Sequence, residues 1–200
     1  MYTKKKNPEK ITIGNVEDNE MDYQIPYYQG VDMNKSRLPI FKKKSSYVFI
    51  GRGCPYNCIF CSVGKTRYHK RCTESIFNEL NFLIKNYNMK HFFFQTGTGT
   101  ADRKQIKDIC NTLIKNKLKI SWGVSTRPHL IDDDLVRLMK QAGCVNINFG
   151  AESGSEKIRK SIGKGFSNKT LIMSDKICKK NNIITSYFWI YGFPGETKKH

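Results

Sequence analysis

Three cysteines fall in a C-x₃-C-x₂-C run, Cys54-Pro55-Tyr56-Asn57-Cys58-Ile59-Phe60-Cys61. Thiolates this close together can hold three corners of a small iron–sulfur cluster. One iron is then left without a protein ligand. An open metal position is where a metal site does chemistry, because a substrate or cofactor can bind there. Phe60, between the last two cysteines, would help to keep bulk water off the cluster.

Other uses of the thiols compete with this reading. A zinc site would want a fourth Cys or His at regular spacing, and His69 and Cys72 lie downstream at no usual finger spacing. Buried structural thiols are another option, although a short loop flanked by Gly51, Gly53 and Pro55 is an odd place for core packing. A disulfide framework is a third. The chain has seven cysteines and its first residues, Met1-Tyr2-Thr3-Lys4-Lys5-Lys6, lead into polar sequence rather than an apolar signal region. That argues against an oxidising compartment and places the protein in the cytoplasm.

The elements that must position the cysteines read as an alternation. Strand-like segments lie at residues 47–50, 91–95, 119–124, 145–150 and 185–191, and helix-like segments at 74–86, 103–116, 132–142 and 168–181. In the first helix Ile76, Leu80, Leu83 and Ile84 share a face, with Thr73 as N-cap and Glu74 in the first turn. The segment 132–142 begins with acidic residues and stops at Gly143, as dipole and C-cap preferences require. A βαβα order over this length predicts an α/β fold with a parallel sheet and right-handed crossovers. Ligands gather at the carboxyl ends of such strands. The cysteine loop follows the first strand, Thr96-Gly97-Thr98-Gly99-Thr100 the second, Arg127 the third, Glu152-Ser153 the fourth and Gly192-Phe193-Pro194-Gly195-Glu196 the fifth. The pattern predicts one shared site.

The two hundred residues suit one domain, and 38% hydrophobic residues are enough to bury a core. No apolar run is long enough to span a bilayer, for which about 20 residues are needed. Residues 1–45 read as an irregular leader or linker, with Pro8, Pro26 and Pro39 and little periodicity. A net charge of +18 invites a nucleic-acid partner. Lysines are spread along the chain, however, with local clusters only at residues 4–6, 42–44 and at Lys65, Arg67, Lys70 and Arg71, and no RNA-binding motif accompanies them.

The cysteine run, with an aromatic residue just before its third cysteine, resembles the signature of the radical S-adenosylmethionine (SAM) enzymes. Further stretches resemble the subgroup of cobalamin-binding-domain radical SAM enzymes and, more distantly, the methylthiotransferases. These are Gly150-Ala151-Glu152-Ser153-Gly154-Ser155, Tyr191-Gly192-Phe193-Pro194-Gly195-Glu196-Thr197, Trp122 with Arg127, and Met139-Lys140-Gln141-Ala142-Gly143-Cys144. The resemblance covers residues 46–200 and implies a partial (β/α) barrel of parallel strands. It implies that Cys54, Cys58 and Cys61 ligate a 4Fe–4S cluster, with SAM on the open iron. Reduction by a donor such as flavodoxin or ferredoxin would cleave SAM to a 5′-deoxyadenosyl radical, which abstracts hydrogen from a substrate that the sequence does not name.

By the same resemblance the turn with Thr96 and Gly97 would receive the SAM amino group, Glu152 and Ser153 would approach its ribose or methionine part, and the backbone around Gly192 its adenine. Read as residues alone, Glu152 can also be a surface or N-cap carboxylate and Gly192 part of a plain turn, while Arg127 can pair bidentately with the SAM carboxylate or serve as a structural ion-pair partner. Two departures stand out. Where relatives often carry acidic residues after the second strand, this chain has Gln95-Thr96-Gly97-Thr98. The chain also stops at His200, so the barrel is expected to be incomplete at the C-terminus, without its last unit. Cobalamin enters through the subgroup alone: residues 1–45 are too short for its domain and no D-x-H-x-x-G motif appears. A tRNA methylthiotransferase is the nearest rival within the class, and would need a second cluster-binding domain and an RNA-binding domain. A non-enzymatic iron–sulfur or zinc module with a basic surface is the rival outside it.

Overall fold

The computed structural model describes residues 25, 26, 28 and 30–197; the basic residues 4–6, Pro8 and His200 lie outside them. Five parallel strands form one sheet in the order β1 (Ser45–Phe49), β4 (His91–Gln95), β5 (Ser121–Thr126), β6 (Cys144–Glu152) and β7 (Ile184–Trp189). Each new strand adds outside the last, as in part of a (β/α) barrel, so the expected α/β partial barrel is the observed fold. A separate antiparallel hairpin, β2 (Gly51–Cys54) and β3 (Thr66–Lys70), brackets the cysteine loop. The sequence reading lacked this hairpin because β2 is four residues long with two glycines and β3 is wholly polar or aromatic, so neither shows a strand's alternation.

Helices α1 (Thr73–Tyr87), α2 (Arg103–Lys115), α3 (Asp133–Gln141), α4 (Glu156–Ser161) and α5 (Asn168–Lys180) complete the fold. The apolar stripe of α1 buries Ile76, Leu80 and Leu83 as expected. Its N-cap is not Thr73 but Cys72, whose Sγ accepts from the Ser75 amide at 3.4 Å. Thr73 already has helical geometry, and a thiol one residue earlier reaches the free amide instead. Helix α3 is capped by Asp132, which accepts from the Leu135 amide at 2.9 Å, and ends at Gly143 with φ +94°. A Cβ at Gly143 would lie 2.2 Å from the Ile120 carbonyl oxygen, so the turn into β6 needs glycine.

Strand alternation separates two faces. One carries Val48, Phe92, Phe94, Trp122, Val124, Ile147 and Phe149, which pack with Ile106, Ile109, Leu135, Met139 and Cys178 of the helices in one continuous core. Phe94 stacks on Trp122 at 4.6 Å between ring centres, and the indole N–H donates to the Ala142 carbonyl at 2.8 Å. At about 25 cal/mol per Å² of apolar area, this layer is the main source of stability. The other face carries Tyr47, Phe49, Phe93 and Asn148, and these side chains open onto a cavity. Residues 30–44 form turns and one isolated bridge, Arg37 to Lys44; Leu38, Pro39 and Ile40 from this segment line the same cavity. No helix among the described residues is long and apolar enough to cross a membrane.

Candidate functional site: a cysteine-lined cavity at the strand ends

A cavity of about 950 Å³ opens where the strands end. Its wall includes Cys54, Cys58, Cys61, Thr96, Gly97, Thr98, Arg127, Glu152 and Lys164. Four of the five strand-end segments singled out in the sequence therefore meet. Ser153 and Gly192 are not on this wall. Ser153 is buried in the corner between β6 and α4, where its Oγ accepts from the Ser155 amide at 3.2 Å and its carbonyl accepts from Arg159. The turn after β7 closes on itself: the Gly192 and Phe193 amides donate to the Glu196 carboxylate at 2.6 and 3.2 Å, and Tyr191 is 86% exposed.

Each cysteine has a local reason for its place. Cys54 ends β2, and its amide donates to Thr66 Oγ1 across the hairpin at 3.0 Å. Gly53 before it has φ +81°, and a Cβ there would fall 1.9 Å from the Arg67 carbonyl oxygen, so only glycine lets the hairpin close. Cys61 follows a tight turn in which its amide donates to the Cys58 carbonyl at 3.2 Å. The turn after β4 packs directly on Cys54. A Cβ at Gly97 would meet the Gly53 carbonyl oxygen at 2.5 Å and Cys54 Cβ at 2.8 Å. Thr98 Oγ1 sits 3.4 Å from Cys54 Sγ, and the Thr96 hydroxyl is buried without a hydrogen-bond partner among the described residues.

Opposite, Arg127 Nη2 donates to Cys58 Sγ at 2.6 Å, and its guanidinium lies over the Tyr56 ring at 3.9 Å. Burial raises the Tyr56 phenol and the Arg127 charge opposes that rise. His129 stands edge-on to Tyr56, its basicity lowered by burial and then by Arg127 and Lys164. Glu152 adopts φ +62°, uncommon for a residue with a side chain, and pairs with Lys164 Nζ at 2.6 Å. It is not the cap of α4, a role that Ser155 fills. Thr98 belongs to the turn that the sequence marks, whereas Lys164 and the residues Leu38, Pro39 and Ile40 carry no such mark. A lysine after a short helix has no local signature, and α4 itself, at six residues, shows too little periodicity to be read.

The donor set fits an iron–sulfur cluster by its chemistry. Three cysteines, none in a disulfide, face one cavity, beside an orphaned hydroxyl. Among the described residues no three His, Cys, Asp or Glu side chains already stand in a metal-binding group; Cys58 is turned to Arg127 and Cys54 to Thr98. Neither candidate fourth zinc ligand is on the cavity wall: Cys72 caps α1, and His69 sits on β3 opposite Arg52. Arg71, the last member of the basic cluster after the cysteines, is 2% exposed and paired with Glu79, so it adds nothing to a basic surface.

A profile of the radical SAM superfamily matches residues 48–200. An uncharacterised methyltransferase of Pyrococcus horikoshii is 35% identical over 171 residues, which are 81% of this chain and 37% of that protein. The anaerobic magnesium-protoporphyrin IX monomethyl ester cyclase of Rubrivivax gelatinosus is 29% identical over 182 residues, covering 89% of this chain and 33% of the cyclase. Among solved structures, the radical SAM methyltransferase TsrM from Kitasatospora setae superposes with a TM-score of 0.70 at 18% identity, over 77% of this chain and 32% of TsrM. At that identity the likeness speaks to the fold. The chain spans about a third of the length of these relatives. With the profile running along most of the chain, through the cysteine loop and the strands that frame it, this protein belongs to the radical SAM superfamily.

Proposed function

We propose that residues 46–200 are the catalytic core of a radical SAM enzyme, with Cys54, Cys58 and Cys61 as cluster ligands and with Leu38, Pro39 and Ile40 before them adding to the cavity wall. The observation that carries this is the opening of all three thiols onto one cavity ringed by strand-end turns. A 4Fe–4S cluster bound there would supply the electron that splits SAM into methionine and a 5′-deoxyadenosyl radical able to take hydrogen from an unactivated carbon.

The chain's own residues do the rest. Arg127 can donate to the Cys58 thiolate, while the Thr98 hydroxyl beside Cys54 donates to the Gly97 carbonyl at 2.8 Å and steadies the turn against that cysteine. Arg127, held flat on Tyr56, can also offer its fork to a carboxylate. Gly97 lets the turn after β4 close on the Gly53–Cys54 backbone, and Thr96 beside it has a hydroxyl to give. Glu152 suits an ammonium or ribose hydroxyls, with Lys164 fixing its position. Ser153 and Gly192 serve by shaping the β6–α4 corner and the turn after β7. Phe60, 39% exposed and beside Phe193, shields the loop from water. The substrate, the external electron donor and any later transfer of a methyl or methylthio group belong to the whole protein.

The test is anaerobic reconstitution with iron and sulfide, then dithionite and SAM, assayed for 5′-deoxyadenosine. Wild type is expected to form it and Cys58→Ala to form none. A wild type that binds no iron would overturn the reading in favour of zinc or structural thiols.

A further inference from the structure

The cysteine loop has little apolar anchoring of its own, since Ile59 is 70% exposed. At Cys58 its course is set by backbone contacts with the turn after α4. The Ile59 amide donates to the Ile162 carbonyl at 3.2 Å. Gly163 has φ +81°, and a Cβ there would stand 2.2 Å from the Asn57 carbonyl oxygen and 3.3 Å from Cys58 Cα. Those are backbone atoms, which cannot swing aside as a side-chain tip can. The turn is in turn tied to the sheet. The Lys164 amide donates to the Arg159 carbonyl at 2.8 Å, and its Nζ reaches the Gly150 carbonyl at 2.8 Å as well as Glu152. Ile158 and Ile162 are buried beneath it.

We propose that Gly163 is a positioning residue for the middle cysteine: its missing side chain lets the Asn57–Cys58 backbone close onto a rigid seat, and this closure aims the Cys58 thiol at the cavity. The purpose of the seat rests on the cluster reading above, but the seat is a property of the metal-free chain. Gly165 supplies an internal contrast. It flanks Lys164 on the other side, and a Cβ there would meet nothing within 4 Å.

The experiment compares wild type with Gly163→Ala, Gly163→Asn and Gly165→Ala. Cys58 alkylation by iodoacetamide in metal-free, reduced protein is followed by mass spectrometry, with buried Cys110 as the reference for global opening. Iron and sulfide content and the visible spectrum are read after reconstitution. Asparagine tolerates a left-handed φ yet still carries a Cβ, which separates backbone strain from contact. Both Gly163 variants are expected to alkylate several-fold faster at Cys58 than wild type, with Cys110 unchanged, and to take up less iron; Gly165→Ala should match wild type. Unchanged Cys58 reactivity in Gly163→Ala, or Gly163→Asn behaving as Gly165→Ala does, would overturn the proposal. So would faster alkylation of Cys110 alongside Cys58, which marks a fold defect rather than a moved loop. If wild type binds no iron, the cluster reading fails, and the alkylation result alone decides whether the seat exists.

Discussion

Two buried cation–carboxylate pairs, one in the helix layer and one on the cavity wall, differ in what surrounds them. The side chains of Arg71 and Glu79 are each 1% exposed. Arg71 also donates to the Phe49 carbonyl and to Ser75, and Tyr28 donates to Glu79. Burial, then the Glu79 hydrogen bond, holds the Tyr28 phenol well above its usual range, so that proton stays in place. Lys164 and Glu152 are 8% exposed and face a space large enough for a ligand. The first pair is enclosed by protein donors and acceptors and ties α1 to the end of β1. The second can exchange partners with whatever enters. Burial of a charge pair thus belongs to scaffold in one place and, under the proposed function, to a binding wall in the other, and the open side separates them.

The largest effect expected is from Glu79→Leu. It leaves the Arg71 charge buried without its carboxylate and should cost about 3–5 kcal/mol in urea unfolding. Lys164→Met should cost less, about 1–3 kcal/mol, because Glu152 can recruit water from the cavity. It should also weaken SAM binding in an equilibrium titration, which Glu79→Leu should not do once the protein is folded. Equal stability losses would erase the distinction between the pairs.

Two helix caps sharpen it further. Ser155→Ala and Asp102→Ala each remove a capping acceptor, of the Ile158 and Gln105 amides respectively, and should each cost about 1 kcal/mol. Only Ser155→Ala, which loosens the helix carrying the Gly163 seat, should speed Cys58 alkylation.

The smallest effect at neutral pH comes from the core thiols. Burial pushes Cys110 up to about 12 from an ordinary 9.0, and burial with Asp175 does the same to Cys178. Below pH 9 these thiols are protonated folded and unfolded alike. Between pH 9 and 12 the unfolded chain loses the protons while the folded chain keeps them, so stability should fall as pH rises. Urea midpoints across that window should fall less steeply in Cys110→Ala, once its lower starting stability is subtracted. No difference in slope would mean that Cys110 is more open to water than its burial indicates.

Much of the fold was legible because it is written locally. The alternation of apolar runs placed five strands and four helices within a few residues, Asp132 and Gly143 marked the ends of α3, and the strand ends located the cavity. The errors share a cause. Thr73 and Cys72 both precede the α1 stripe, and which one caps depends on where the backbone turns from extended to helical, here after Cys72. The hairpin β2–β3 is held by cross-strand pairs such as Gly51 with Lys70, not by residue preference.

By itself, the sequence determined the chemistry on offer and the order of the elements: three thiols within eight residues, glycines at several left-handed turns such as Gly143, and a βα alternation that favours a parallel sheet. Those follow from residue type and short spacing, which survive without a fold. Tertiary structure alone decided that Arg71 turns inward to Glu79, that Arg127 meets Cys58 across 69 positions of chain, and that Lys164 joins Glu152 on the wall. It also decided that Gly163, unremarkable in the sequence, lies under the middle cysteine. Such meetings depend on strand register and on where each crossover returns, and no local pattern encodes either.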